Sequence, residues 1–287
     1  MAITLPSAYS KILDKGFTLK SLTAPAFKGE YEVVGGTTNV FKIYSTTSQA
    51  MRDYTSLKNP ATAKGVGDTW GFTYQQMANN EQVVTATQDK FFAIPIDLAD
   101  AKFAKDGSLD TKEVMRVQME EQIIPMIDKY NIAALGTAAT VVGTPAAITD
   151  TTAYKRLKEA MTAQTNALVP HSGRVVLARA SYYSLLTQDK GFTPDSELTA
   201  ESRRSGRYGR TADGALVIEV PDSYMPAKIE AIVTHERAAA APKYLADYNQ
   251  GKFQEAASGY FVNGRVIHEA FVFSKKASAV VKITNAA

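Results

Sequence analysis

The sequence predicts an α+β chain that carries one long projecting excursion, and three observations lead there. Residues 44–82 read YSTTSQAMRDYTSLKNPATAKGVGDTWGFTYQQMANNEQ, with strand-like runs on either side at 40–43 and 83–85. Residues 110–136 carry the pattern of one long amphipathic helix. Residues 138–255 alternate short apolar runs with helical patterns, which reads as an α/β domain.

Residues 1–30 read as an arm. Ser7 caps a short helix through Leu13, Gly16 stops it, and Pro25 argues against a continuous helix further on. Strands follow at 31–34 and 40–43, separated by Gly35 and Gly36. The excursion has little sustained apolar periodicity, yet Tyr54, Trp70, Phe72 and Tyr74 are spaced through it. Compact domains rarely carry such a stretch unless it is functional or disordered, and disordered segments are poor in aromatics. It therefore reads as a long hairpin whose packing partner is another chain. In residues 90–97, KFFAIPID, Phe92, Ile94 and Ile96 alternate with Phe91, Ala93 and Pro95, which makes a strand. Pro95 puts that strand at a sheet edge.

Asp110 is the expected N-cap of the long helix, with Glu113 at capping-box spacing. Met115, Met119, Ile123, Met126 and Tyr130 recur at intervals of three and four and form one apolar face, widened by Ile124 and Ile127. The expected helix core is Met115, Met119, Ile123 and Ile127, while Arg116, Glu120, Glu121 and Asp128 mostly lie off that face. Pro125 removes a backbone donor and crowds the carbonyl of Glu121, so a kink is expected there. A helix of about 25 residues spans about 38 Å.

Residues 138–149 form a linker of small residues, and Asp150 is expected to cap a helix through Leu168 with Tyr154, Leu157 and Met161 on its inner face. Strands are expected at 174–178, 215–220 and 229–234, a short helix at 181–188, a turn at 221–226, and a helix at 238–248 interrupted by Pro242. Asn263-Gly264 lies between the apolar runs 260–262 and 265–267, the signature of a two-residue β-hairpin. Residues 270–273 and 279–283 continue the β character.

Chemical motifs are sparse. The three histidines, His171, His235 and His268, are far apart, and none has a second ligand at metal-binding spacing, so surface placement or satisfied partial burial is expected. There is no dinucleotide or phosphate-binding glycine motif and no nucleophile elbow. Glu120 and Glu121 diverge by about 100° on a helix and do not share a site. No catalytic residue, cofactor site or metal site is assigned. A net charge of +3 gives no global basic field for nucleic acid, and the absence of cysteine removes disulfide and thiolate chemistry. No apolar run is long enough for a membrane span. The one charge cluster is TAESRRSGRYGR, where Arg203, Arg204, Arg207 and Arg210 face only Glu201, with Gly206 and Gly209 making it loop-like. It reads either as a phosphate or inter-subunit contact or as a solvated mobile loop.

The order of arm, long β-hairpin excursion, long helix, α/β domain and terminal β-hairpin resembles the major capsid proteins of tailed bacteriophages with the Hong Kong 97 fold. The stretches that carry the likeness are IYSTTSQAMRDYT, VTATQDKFFAIPID and above all EEQIIPMIDKYNIAAL. VVLARASYYSLL, GALVIEVPDSYMP and GYFVNGRVIHEAFVF follow in the order of the family's distal domain and return strands. No single motif is diagnostic; the order covers nearly the whole chain.

The resemblance implies an N-terminal arm at 1–30 and an extended loop at 44–88 lying across a neighbouring subunit. A peripheral domain would comprise 31–43, 89–137 and 256–287 with the spine helix 110–136, and an axial domain would span 138–255. Arg52, Asp53, Tyr54, Lys58, Lys64, Trp70, Phe72 and Tyr74 would then be inter-subunit loop residues. Arg203, Arg204, Arg207 and Arg210 would make axial-domain contacts, and Met115, Met119, Ile123, Pro125 and Ile127 would form the spine. Some relatives cross-link a loop lysine to a neighbour's asparagine, a role open to Lys58 or Lys64. The implied function is self-assembly into hexamers and pentamers that tile an icosahedral shell around double-stranded DNA held by weak nonspecific contact. Implied partners are a separate or cleaved scaffold, a portal and decoration proteins; the implied location is the virion capsid, assembled in the bacterial cytoplasm. Two alternatives remain at this stage: an encapsulin-like compartment holding enzyme cargo, and an α/β enzyme with a long lid.

Overall fold

The computed structural model describes residues 21–30, 32–33, 40–46, 79–97, 111–143, 147–188, 208–210, 214–252 and 259–285. In chain order the strands are β1 (Glu32–Val33), β2 (Val40–Thr46), β3 (Asn79–Thr85), β4 (Gln88–Asp97), β5 (Thr140–Val141), β6 (Arg174–Arg179) and β7 (Tyr208–Arg210). They continue as β8 (Leu216–Val220), β9 (Ile229–His235), β10 (Ala239–Ala240), β11 (Lys243–Lys252), β12 (Gly259–His268), β13 (Phe271–Val272) and β14 (Val281–Thr284). The α-helices are α1 (Thr111–Gln118), α2 (Ile124–Ala138), α3 (Ala153–Asn166) and α4 (Ala180–Leu186).

A six-stranded mixed sheet, in the order β5-β14-β9-β6-β8-β7, is covered on both faces. Successive residues of a strand point to opposite sides, and β6 shows how the core divides. Val175 and Leu177 pack with Ile132 and Leu135 of α2 and with Leu22 and Ala26. Val176 and Ala178 pack with Leu157 and Met161 of α3 and with Tyr182 and Leu186 of α4. A run buried on both faces reads as continuous apolar sequence, and that is why RVVLA is legible as a strand. The second unit is a three-stranded antiparallel sheet, β11-β12-β4. Edge strand β4 turns Ile96 inward and leaves Ala93 and Pro95 exposed, as its alternation predicts. β2 and β3 pair antiparallel, from Val40 opposite Thr85 to Thr46 opposite Asn79.

Several elements differ from the sequence expectation. Asn263-Gly264 makes no turn. Both residues lie inside the central strand β12, with Asn263 opposite Ala93 and Gly264 opposite Phe92. A β-carbon on Gly264 would come within 2.6 Å of the Phe92 ring, so the glycine admits an aromatic side chain rather than a reversal of the chain. Residues 238–248 are not helical. Pro242 lacks the donor a helix needs there, and the neighbouring chain offers ladders instead: β10 pairs β13, and β11 pairs β12 from Lys243–His268 to Lys252–Tyr260. Asp150 does not cap the following helix. It accepts the Thr151 N–H, and Thr152 precedes the first helical residue. The helix ends at Asn166, two residues short of Leu168, which stands in the left-handed region at φ 59°.

The long helix runs on either side of Pro125, but a five-residue π-helical turn, Met119–Ile123, precedes the proline. There the Ile124 N–H bonds the Met119 carbonyl. The wider turn accommodates the ring that would otherwise crowd Glu121. Of the expected helix core only Ile123 is buried; Met115, Met119, Pro125 and Ile127 are half-buried in this chain. The buried stripe lies further on, at Asp128, Asn131, Ile132, Leu135 and Gly136. Sheet membership does not follow the sequence division at residue 255. Lys243–Lys252 pairs in the three-stranded sheet, whereas Val281–Thr284 lies between β9 and β5 in the six-stranded one.

The last part of the expected arm is fixed to its own chain. Leu22 and Ala26 are buried, and the N–H groups of Lys28 and Gly29 bond the carbonyls of Glu236 and Ala239. Asp128 is the receptor: its carboxylate accepts the Ser21 hydroxyl at 2.8 Å, the Leu22 N–H at 2.7 Å and the Thr23 hydroxyl at 2.6 Å. Asn131 adds a bond to the Thr23 hydroxyl.

Candidate functional site

The β2–β3 pair, here the stem, flanks residues 47–78 in the sequence. One face turns Phe41 inward, 3% exposed. The opposite face presents Tyr44 and Val83, 54% and 55% exposed, beside a Lys42–Glu81 ion pair at 2.5 Å. A stem that exposes an aromatic and a branched aliphatic residue on one face offers apolar area to a second surface.

Among the described residues, Glu269 and Gln82 tie this stem to the body. At its root only Ala86 and Thr87 separate β3 from β4. Glu269 accepts the Thr87 N–H and hydroxyl, each at 2.7 Å, together with the Tyr130 hydroxyl of α2 and the Ala270 N–H. Burial pushes the Glu269 carboxyl up, but the bonds from Tyr130, Thr87 and Ala270 outweigh it and hold the group below its ordinary value. Further along, the Gln82 amide bridges to the last residue of β13 and to the chain just beyond it. Its nitrogen donates to the Val272 carbonyl at 3.4 Å and its oxygen accepts the Ser274 N–H at 3.1 Å. Beside this bridge lies a cavity of about 510 Å³, lined on the stem side by Ile43, Tyr44 and Glu81 and on the body side by Arg237, Phe273 and Lys276.

His268 adjoins the root. It is 2% exposed, its ring centroid is 5.1 Å from that of Tyr130, and neither ring nitrogen has a hydrogen-bond partner among the described residues. This corrects the expectation of a surface or satisfied histidine. Burial holds its pKa below the ordinary value, Lys90 adds to that, and Glu269 opposes it. A base depressed in the folded chain leaves stability complete above the unfolded pKa, about 6.5, and withdraws it as pH falls from there towards the folded value. His268→Phe keeps a ring against Tyr130 and removes the titration. Urea midpoints at about pH 7 and about pH 5 should then differ less in the variant than in the parent. An equal loss in both proteins would show that the acid sensitivity has another source.

The expected loop contacts Arg52, Asp53, Tyr54, Lys58, Lys64, Trp70, Phe72 and Tyr74 lie outside the described residues, as do Arg203, Arg204 and Arg207. Arg210 is in β7, so the end of the arginine-rich segment forms an edge strand on β8 rather than continuing as a loop. The sequence reading did not pick out Asp128, Gln82 or Glu269 as functional. A lone carboxylate or amide carries no motif, and apart from Ala270 beside Glu269 the partners named for these three lie 105 to 192 residues away. Among the described residues no group of three or more His, Cys, Asp or Glu gathers to hold a metal ion, and no helix is long and apolar enough to cross a membrane.

No family model matches the chain, and no curated protein sequence matches it. Solved structures do. The chain is similar to one from Mycobacterium phage Che8, with a TM-score of 0.69 at 20% identity, covering 98% of this chain and 97% of that one. It is similar to the capsid of Cyanophage P-SCSP1u, with a TM-score of 0.66 at 13% identity over 99% of this chain and 93% of that one. The mature capsid of bacteriophage PhiM1 gives a TM-score of 0.64 at 13% identity over 97% and 92% of the two chains. Likeness over almost the full length of each chain, at identities this low, is a statement about architecture, and the fold of this chain is that of the major capsid proteins of tailed bacteriophages, the Hong Kong 97 fold.

Proposed function

We propose that this chain is a major capsid protein, whose copies form hexamers and pentamers and close an icosahedral shell around double-stranded DNA. The observation that carries the reading is the near full-length likeness to phage capsid structures. The stem supports it: two paired strands with exposed Tyr44 and Val83 suit packing on a neighbour, and closed rings repeat such a contact. In this reading residues 47–78, which connect the two strand ends, carry the inter-subunit contacts of Tyr54, Trp70, Phe72 and Tyr74. The arginines at 203, 204, 207 and 210 act between axial domains. A scaffold, a portal and decoration proteins are the further partners, and the host cytoplasm is the site of assembly.

Electron microscopy of the purified chain tests the reading, with rings or closed shells expected. Deleting residues 52–73 should leave a folded, soluble subunit that builds neither. Normal shells from the deletion would remove the excursion from the assembly mechanism. A parent protein that stays monomeric at every concentration would overturn the capsid reading. Shells that enclose protein cargo and no DNA would replace it with a storage compartment.

A further inference from the structure

Among the described residues two that are not glycine stand in the left-handed region, Leu168 at φ 59° and Lys228 at φ 66°. Each lies beside carbonyls gathered by an arginine at one end of β6. Arg179 takes those of Pro226 and Ile229, and Arg174 takes those of Val169 and Pro170. A lysine in such a turn keeps its charge in water. Leu168 gains nothing comparable, because it is 91% exposed, the most of any large apolar residue described. The turn itself is firmly made. The Leu168 N–H bonds the Thr165 carbonyl, the Val169 N–H bonds the Gln164 carbonyl, and Val169 packs on the core. Glycine is the usual residue at this place after a helix. The position therefore carries two costs, a bulky left-handed residue and an apolar side chain in water, which no contact among the described residues offsets.

We propose that Leu168 is an anchor for a second copy of this chain, with the hollow beside it as the socket. That hollow has a volume of about 510 Å³ and is lined by Leu168 itself, by Val169 and Pro170, and by the charged Glu236, Arg237 and Lys276. Knob and hollow stand side by side on one surface, which makes the surface self-complementary. About a two-fold axis each leucine enters the other copy's hollow. The charges fit the same occupant. Lys28, bonded at 2.7 Å, holds the Glu236 carboxyl below its ordinary value, so a carboxylate stands next to the Arg237 cation. Two copies can therefore meet with unlike charges opposed, whereas a wholly acidic or wholly basic partner would leave one sign unmatched. A turn already made also spares the contact the entropy of ordering its anchor. Arg174 is a positioning residue, since it fixes the turn and does not meet the partner. The contact needs only a second copy; its repetition around a closed shell rests on the capsid reading.

Leu168→Gly relieves the left-handed conformation and removes the anchor, so its two effects have opposite signs. The dilute chain should keep or raise its urea midpoint, while the concentration for half-association, read by sedimentation velocity, rises about thirtyfold. Leu168→Asn, which also tolerates the conformation, should behave alike. A cross-link reports the geometry. The chain has no cysteine, so Leu168→Cys protein is mixed with Ser278→Cys protein, whose cysteine lines the hollow, and treated with a short bis-maleimide. Dimers should form in the mixture far faster than in either variant alone. Unchanged association in both Leu168 variants would overturn the anchor. A fall in the urea midpoint of Leu168→Gly would overturn it equally, since the leucine would then serve its own fold. Shells from the parent with no cross-linked dimer in the mixture would remove the second copy as occupant and leave the capsid reading intact. Cross-linked dimers from a parent that never builds shells would uphold the contact and remove the capsid reading.

Discussion

Asp128→Ala is expected to lower the unfolding free energy by about 4 kcal/mol and to free the segment that follows residue 20. The carboxylate is 2% exposed and accepts from Ser21, Leu22 and Thr23. Removing it leaves a buried backbone N–H and two hydroxyls without their acceptor, and orphaned buried donors cost about 1–3 kcal/mol each. The damage spreads, because Leu22 and Ala26 are inserted in the core beside Leu135 and Ala238 and depend on that segment's path. Asp128→Asn keeps one acceptor oxygen and should fall between the parent and Asp128→Ala. Urea unfolding gives the energies, and trypsin cleavage after Lys28 reports release of the segment. An alanine variant with the parent's midpoint and cleavage rate would show that the segment is held by its apolar contacts alone.

Arg174→Met is expected to have a comparable effect, a loss of about 4 kcal/mol or about 10 °C in Tm. Arg174 is 1% exposed, although charged side chains are almost never fully buried without partners. Its guanidinium donates to the Pro170 carbonyl at 3.0 Å, the Met161 carbonyl at 3.2 Å, the Val169 carbonyl at 2.6 Å and the Thr165 hydroxyl at 3.0 Å. These acceptors cluster at the C-terminal end of α3, where a positive charge also suits the helix dipole. In sequence they lie on either side of Leu168, whose φ of 59° is strained for a bulky side chain. Arginine thus holds a turn that leucine disfavours. Arg174→Lys keeps the charge but not the planar fork, so it should recover less than half of the loss. Full recovery by lysine would show that charge alone, without the fork, holds the turn.

Elements whose signal is local were legible in the sequence. The strand at 174–179, the alternation in Gln88–Asp97 with its edge proline, and the long helix follow from periodicity over a few residues. Elements set by distant partners were not. Asn263-Gly264 has the chemistry of a turn, but strands on both sides of β12 and the Phe92 ring across Gly264 decide its conformation. Residues 243–252 carry no strand pattern strong enough to outvote a helical one; β12 makes them a strand. At the candidate site the same division holds. The strands that flank residues 47–78 were readable, whereas Asp128 looked like a solvent-facing helix residue because its three acceptor bonds go to residues 21–23. Half-burial of Met115 and Met119 belongs to the same class, since apolar periodicity reports a face and not what lies against it.

The position of β14 bears on when the subunit becomes competent during synthesis. β9 has β6 on one side and β14 on the other, and among the described residues β5 is paired only through β14. Until residue 284 has left the ribosome, β9 presents an open edge, β5 has no ladder, and the cluster around α3 lacks Val281 and Ile283. A nascent chain can already have formed the stem and the helix, yet its larger sheet stays unfinished until β14 emerges. Chains short of that point hold a larger sheet that cannot close, so docking through it waits on this strand.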